Sequence, residues 1–501
     1  MPPKMPGLSL ESLGQLNYLC GVLSQPPGSW AGFYAAQSPS MNFALRYQLA
    51  FGSYAVAALA QHTPAYRAPY AEALQGAIEK MLDVATWGYW RASSASEERA
   101  TPASSGHVAV LLSPHRRLPA GPPTDPVARD NLQYSGHLST MLGMYEKVAG
   151  DRRYDSPFTL SDPESGASFT YTHSEVAARI HNQMRENSFG GVCCEPGMAY
   201  VPCNNYALAS NTLHDALHGT NYSSSNAKWL GLVRSKLVLK GPAVRGTFGA
   251  AYMKDLGLAT PVAFNFTDAW GLAFMLPFDR TLVRKLYRRF VQKVTTAGAG
   301  EAYVGSSAVS EKMEISDVPI NTGFGLTLAR GVGDARRANA LRRYAETRFD
   351  AGWTGSHYLY RGAPRTLQST ALYALADSMQ PDPESFTRLF NSAQNAPAFE
   401  HPSLARIVEP AGRTGVSQAE YVSEERTLYL TLRQVGDPSE RGRATPREVT
   451  LSLANIRSRP HVEVGGQPLA PEDYIHRPDG SLEFRVVVAP AQPTSCVVRM
   501  A

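Results

Sequence analysis

The sequence predicts a mainly α protein: an (α/α)6 barrel followed by a smaller C-terminal antiparallel β domain. Three observations carry this expectation. Six segments with helical apolar spacing are apolar on every side. A more charged, amphipathic segment lies between or after most of them. Beyond about residue 418 the apolar period changes from 3.6 to two. A helix that is hydrophobic all round belongs inside a protein, and one with a single apolar stripe belongs outside.

The predicted inner helices are, in order, FALRYQLAF from Phe43, DNLQYSGHLSTML from Asp130, NNYALASNTLHDAL from Asn204, TDAWGLAFML from Thr267, NTGFGLTLARGV from Asn321 and TLQSTALYALADSM from Thr366. The predicted outer helices cover 69–83, 173–187, 225–240, 280–295, 334–348 and 384–392. The interval between inner helices shrinks from 87 residues (43 to 130) to 45 (321 to 366), so the pattern is not a fixed-period solenoid. Residues 1–395 are assigned to the helical part and 396–501 to the β region. In the latter, RTLYLTLRQV, REVTLSLANI, HVEVGG and LEFRVVVA alternate with period two. The join, FNSAQNAPAFEHPSLARIVEPAGRTG, contains Pro397, Pro402 and Pro410 and is expected to run as a loop over the helical part.

Composition narrows the function. Of 501 residues 43% are apolar and 18% charged, with a net charge of +5, which is too dilute to imply a nucleic-acid partner. The basic clusters RRLPAG, RKLYRRF and ARRANALRR read as solvated helix faces. No segment approaches the ~20 apolar residues of a membrane span, and LAFGSYAVAALA (49–60) reads as a buried helix. The N-terminus has no hydrophobic signal core, and the five cysteines (Cys20, Cys193, Cys194, Cys203, Cys496) are odd in number and unevenly placed. Free thiols in a reducing, cytoplasmic setting are therefore expected.

Three of those cysteines fall within eleven positions, in GGVCCEPGMAYVPCNNYALAS (190–210). Pro196, Gly197 and Pro202 favour turns, so Cys194 and Cys203 can meet across a bent loop. Asn204 or Asn205 is the expected N-cap of a helix 206–217 ending near Gly219. Cys203 would then sit at a helix N-terminus, where unpaired N–H groups favour a thiolate, while Glu195 acts in the opposite sense on Cys194. Two thiols in unlike surroundings can serve as acid and base, or as nucleophile and acid. Competing readings are ordinary: a buried cysteine is usually a small core residue, and a Cys194–Cys203 disulfide conflicts with the compartment. Zinc needs three or four ligands, and the motif has no adjacent histidine pair, although His214 and His218 lie at i, i+4 on the following helix. No metal and no cofactor is expected. The starts of the inner helices and the loops before them carry Tyr47, Tyr134, His137, Cys194, Cys203, Asn204, Tyr206, Asp268 and Asn321. If these converge, they line one central cavity suited to a small apolar ligand. Taken singly, His137 and Tyr47 read as core residues.

The combination ALRYQLAF (44–51), RDNLQYSGHL (129–138) and CEPGMAYVPCN (194–204) resembles the linalool dehydratase/isomerase family, with weaker echoes in TDAW (267–270) and GFGLTLARGVGD (323–334). The likeness covers about 15–380. It implies an (α/α)6 barrel that isomerises and dehydrates monoterpene alcohols without metal or organic cofactor and assembles as a ring-like homo-oligomer. It also implies that Cys194 and Cys203 are paired active-site cysteines, Glu195 the acid beside the first, His137 the histidine of the acid/base set, and Tyr47 and Tyr66 active-site tyrosines. Tyr134, Gln133, Tyr206, Asp268 and Met41 are the expected substrate contacts. Two departures stand out. The family places an aspartate shortly before ALRYQ, whereas this chain has no Asp or Glu between Glu11 and Glu72 and carries Met41 and Asn42 there. Gln133 stands where a methionine is expected, four residues before His137.

The expected function is a cofactor-independent lyase, isomerase or cyclase acting on an apolar isoprenoid or polyene, an allylic alcohol or alkene. A cysteine or His137 would protonate it, and a second thiol or Tyr47 would remove a proton. Alternatives are a pericyclase-type cyclase working by pocket shape, a polysaccharide lyase or glycosidase using His137, Tyr206, Asn205, Glu195 and Asp268, and a non-catalytic small-molecule binder.

Overall fold

The computed structural model describes residues 7–34, 44–90, 124–240, 247–261, 263–298, 300–306, 317–393, 396–409 and 412–501. The helical part contains α1 (Leu10–Leu23), α2 (Leu45–Ala60), α3 (Ala68–Leu82), α4 (Leu132–Ala149), α5 (His173–Glu186), α6 (Val201–His218) and α7 (Asn226–Leu232, continued by a π-turn Val233–Leu237). It continues with α8 (Asn265–Met275), α9 (Arg280–Phe290), α10 (Val318–Val332), α11 (Ala335–Arg348), α12 (Thr366–Asp377) and α13 (Glu384–Asn391).

The apolar patterning decides which helices lie inside. Every residue of α2 is buried, and α4 buries everything from Leu132 to Val148. By contrast α5 buries only His173, Val176, Ala177, Ile180, His181 and Met184, a single stripe at helical spacing. The buried helices pack in succession: α2 on α4, α4 on α6, α6 on α8, α8 on α10, α10 on α12, and α12 back on α2, which closes a ring. Outside it, α3 lies against α2 and α4, α5 against α4 and α6, α9 against α8, and α11 against α10. The basic stretch 284–290 is a solvated face of α9, as expected, with Arg284, Lys285, Arg288 and Arg289 exposed. In 335–343 Arg342 departs from that reading, because it turns inward onto Asp377. RRLPAG lies outside the described residues. Among those described, no helix is long and apolar enough to cross a membrane.

The last predicted outer helix is placed differently. α13 packs mainly on α2 and α6, with Phe386 and Phe390 buried against Phe274, and Phe390 also against Tyr54. It therefore covers one end of the ring. The outside position beside α12 and α2 is taken instead by α1, which also touches α3. The sequence hid this because α13 has a strongly one-sided apolar pattern, which a helix capping the ring interior shares with one lying outside.

The β region forms two antiparallel sheets. Its strands are β1 (Ser403–Val408), β2 (Thr414–Val422), β3 (Thr427–Gln434), β4 (Arg447–Ala454), β5 (Pro460–Val464), β6 (Gln467–Pro468), β7 (Tyr474–His476), β8 (Leu482–Val488) and β9 (Thr494–Met500). One sheet runs β1-β4-β8-β7 and the other β2-β3-β9-β5-β6. Alternate residues such as Val449, Leu451 and Leu453 of β4, and Leu482, Phe484, Val486 and Val488 of β8, fill a second core distinct from that of the helices. The expected loop across 390–415 is corrected here, since it contains β1 and the start of β2. Register slips between Leu404 and Arg406 and between Val416 and Gln418 interrupt the two-residue alternation that announces a strand. Backbone hydrogen bonds join the two parts: Leu8 N–H to Ser417 O (2.8 Å), Ala65 N–H to Ala419 O (3.0 Å) and Leu404 N–H to Ala65 O (2.7 Å).

The α1–α3 contact is tight at one point. A Cβ on Gly76 would lie 2.4 Å from the Leu23 carbonyl oxygen, while one on Gly21 meets nothing within 4 Å. Gly76→Ala is expected to destabilise the protein by about 1–3 kcal/mol. Gly21→Ala is expected to be neutral or to stabilise by up to about 1 kcal/mol. Equal urea midpoints for the two variants would refute this placement of α1.

Candidate active site

Helical spacing aims one face of each inner helix at the ring interior. On α2 this face carries Tyr47, Phe51 and Tyr54 (i, i+4, i+7), on α4 Gln133 and His137, on α6 Cys203 and Tyr206, on α8 Trp270 and Phe274, and on α10 Phe324. The loop before α6 adds Cys194 and Glu195.

That loop is shaped locally. Pro196 and Gly197 form the centre of a tight turn in which Met198 N–H donates to Glu195 O (2.9 Å) and Gly197 has φ +76°. This is the position where a type II turn requires glycine. Cys194 N–H then donates to Met198 O (2.9 Å). α6 begins at Val201, earlier than the expected 206, because Pro202 in the first helical turn needs no N–H partner. Asn204 and Asn205 are therefore not its N-caps. The Asn204 side chain instead accepts Val192 N–H (2.9 Å) and donates to Val192 O (3.0 Å), clamping the cysteine loop to α6. Asn205 donates to Gly271 O (2.8 Å) and ties α6 to α8. Gly191 leaves room for this clamp, since a Cβ there would stand 2.8 Å from Asn204 Oδ1 and 2.4 Å from the Trp229 ring.

Cys194 and Cys203 are free thiols within hydrogen-bonding reach of each other, Cys194 fully buried and Cys203 5% exposed. The Tyr47 phenol lies beside both. It donates to Gln133 Oε1 (3.1 Å), and Gln133 Nε2 donates to Glu195 Oε1 (2.6 Å). Gln133 thus relays between phenol and carboxylate, a role a methionine could not fill. The buried Arg46 guanidinium stacks on the rings of Tyr89 (3.9 Å) and Tyr47 (4.8 Å) and feels the charge of Glu195. His137 Nδ1 is hydrogen-bonded to Tyr54 Oη (2.7 Å), while among the described residues its buried Nε2 has no hydrogen-bond partner. The imidazole lies 3.9 Å from the Tyr206 ring centroid and 5.4 Å from that of Tyr47. Trp270 Nε1 donates to Tyr206 Oη (2.7 Å), and its indole stacks on Phe324.

Burial sets the protonation states. It drives His137 well below the ordinary histidine range, and Arg46 adds to this. It drives Cys194 well above the ordinary thiol range, reinforced by the bond to Cys203. Tyr47 is raised in the same way. The imidazole, the Cys194 thiol and the phenol are all neutral near pH 7.

Several expected site residues lie elsewhere. Tyr66 follows the far end of α2, ~20 Å along the helix from Tyr47, and packs on Tyr70 and the β core. Tyr134 points outward and donates to Met81 O on α3 (2.9 Å). Asp268 is held by Lys293 Nζ (2.6 Å) and Phe248 N–H (2.9 Å). Asn321 donates to Ser306 Oγ (2.9 Å). Met41 lies outside the described residues. The sequence reading missed Arg46, Phe51, Tyr54, Tyr89, Trp270, Phe274 and Phe324. The i+4 and i+7 steps from Tyr47 would have found Phe51 and Tyr54.

A ring of buried helices encloses a thiol pair, an imidazole and phenols, and a family match supports an enzyme of the lyase/isomerase type. The chain belongs to the linalool dehydratase/isomerase family, which residues 46–366 match. Among solved structures it is similar to an unsaturated glucuronyl hydrolase from Bacillus sp. GL1 (11% identity, 74% of this chain and 95% of that one, TM-score 0.42). It is also similar to an inactive variant of an α-1,6-mannanase of Salegentibacter sp. HEL1_6 (10% identity, 76% and 99%, TM-score 0.42). Likenesses this distant say nothing of substrate.

Asn204→Ala removes the clamp. It is expected to cost about 1–3 kcal/mol and to speed modification of Cys194 by thiol reagents in the native protein; unchanged labelling would contradict the role given to Asn204. The neutral imidazole has its own signature. Below about pH 6.5 the unfolded chain protonates His137 and the folded chain does not, so stability falls as pH drops through that point. His137→Gln should flatten the stability–pH curve there, by up to about 1.4 kcal/mol per pH unit. Parallel curves for the two proteins would exclude a buried neutral His137.

Proposed function

We propose that the protein is a cofactor-independent lyase, isomerase or cyclase acting on an apolar isoprenoid or polyene that carries an allylic hydroxyl or an alkene. The reading rests on one observation: two thiols, a phenol and an imidazole with one unpartnered nitrogen meet in a single buried, aromatic cluster. Its uncharged groups suit a ligand that is mostly hydrocarbon, whose burial contributes about 25 cal/mol per Å².

In the dehydration direction a cysteine thiol protonates the hydroxyl, and the C–O bond breaks with its electron pair leaving on water. The allylic cation faces the rings of Tyr47, Phe51, Tyr206, Trp270 and Phe324, whose negative π-faces stabilise it. A C–H bond on the neighbouring carbon breaks, its electrons form the new double bond, and His137 Nε2 takes the proton. Tyr54 on Nδ1 fixes the ring for that transfer. Tyr47, whose ring is edge-on to the imidazole and whose phenol lies near the thiols, offers the route by which the proton returns to sulfur. Rehydration at the other allylic carbon gives isomerisation. With no carboxylate in the stretch before ALRYQ, the Tyr47–Gln133–Glu195 chain brings a carboxyl group to the edge of the cluster. Glu195 and Asp268 do not form a glycosidase pair in this reading, since Asp268 is engaged by Lys293.

The ring α2, α4, α6, α8, α10 and α12 is read as the inner layer of an (α/α)6 barrel, with a boundary near 395/396 before the β domain and assembly into a homo-oligomer.

Cys194→Ala, Cys203→Ala and His137→Gln, assayed on a panel of isoprenoid alcohols, are each expected to lower kcat by roughly 10²–10⁴-fold. Folded variants with unchanged turnover in all three cases would sink the acid/base reading. Turnover that survives loss of both cysteines but not enlargement of the Phe51 side chain would favour a cyclase that works by shape.

A further inference from the structure

A second constellation lies at the opposite end of the same helices. Glu146 is in the last turn of α4, His173 is the first residue of α5, His214 and His218 are in the last two turns of α6, and Asp155 ends a short 3-10 turn (Arg153–Asp155). The ligand atoms of Glu146, Asp155, His173 and His218 all lie within 4.8 Å of one another. His218 Nε2 is 2.9 Å from Glu146 Oε2, His173 Nδ1 is 3.8 Å from the same oxygen, and His218 Nε2 is 3.9 Å from Asp155 Oδ1. Side-chain exposure is 2% for His173, 8% for Glu146, 11% for His218 and 35% for Asp155.

One ion pair accounts for Glu146 and His218. His173 and Asp155 stand in longer charge pairs, 3.8 Å from Glu146 and 3.9 Å from His218, too long for a good hydrogen bond. Four bonds of ~2.0–2.2 Å in a tetrahedron put ligand atoms ~3.3–3.6 Å apart, within the span seen here. Two carboxylates and two imidazoles make a mixed nitrogen and oxygen ligand set, which suits zinc and its neighbours. The surroundings are those of a supported site. Glu146 Oε1 receives Arg152 Nε (3.1 Å), which leaves Oε2 for the ion. The His214 ring stacks on His218 at 4.3 Å, while its own nitrogens are taken by Thr220 (2.9 Å) and Ser174 (3.2 Å). His214 therefore backs the site without being a ligand, so the i, i+4 histidine pair contributes one ligand rather than two.

We propose that Glu146, Asp155, His173 and His218 bind a divalent zinc-type metal that ties together the ends of α4, α5 and α6. With four protein ligands the site is structural. It stands ~14 Å along α4 from His137 and uses none of the cysteines, so it is independent of the catalytic reading.

The test uses the full chain, stripped with a chelator and dialysed, with ZnCl2 alone as probe. The expected result is one Zn²⁺ per chain by calorimetry and elemental analysis, and a raised Tm. His218→Ala should weaken binding at least about 100-fold. Asp155→Asn, at an exposed position that leaves folding intact, should weaken it at least about tenfold and reduce the Tm shift. A folded wild-type chain that binds Zn²⁺ no more tightly than Asp155→Asn would overturn the proposal and leave a proton-bridged carboxylate–histidine cluster. Should His218→Ala fail to fold, the Asp155→Asn comparison decides alone.

Discussion

Exclusion of water from the ring interior governs the rest of this structure. A lone charge there costs several kcal/mol, so each polar group must be neutral, paired or spread over neighbours. The chain obeys this at each position. His137 gives up its proton, Cys194 and Tyr47 keep theirs, and Glu195 is held by Gln133. The permanent cation Arg46 lies against two aromatic faces. The neutrality of these groups is thus a consequence of where the side chains are placed.

Precision at the thiols comes from backbone chemistry a few residues away. The Pro196–Gly197 turn reverses the chain, Gly191 clears space, and the Asn204 carboxamide grips both backbone groups of Val192. None of these residues needs to touch a ligand. Together they fix one sulfur on a loop against another on a helix, which loop geometry alone would leave loosely defined.

The alternation of all-round apolar and amphipathic helices was readable because burial on every side leaves no room for charge. The convergence of Tyr47, His137, Cys194, Cys203 and Tyr206 followed from their places at helix starts. Other features were not readable, for physical reasons. Tyr134 and Asp268 differ from their site-facing neighbours by one or two positions, 100° or 200° around a helix, and only packing tells which side faces inward. Tyr66 sits near Tyr47 in sequence but a whole helix away in space. α13 shows the same one-sided stripe whether it flanks the ring or covers its end. The two bulged strands lose the alternation by which strands are recognised.

The pairing of Ala65 with the β region reaches further than its two hydrogen bonds suggest. α2 carries Tyr47, Phe51 and Tyr54, and the turn that follows it is stitched to β1 and β2 through the Ala65 carbonyl and N–H. The strand-rich tail is thus a splint for the helix that supplies much of the aromatic wall. A chain shortened before residue 403 would lose those partners and, with them, the fixed far end of that helix.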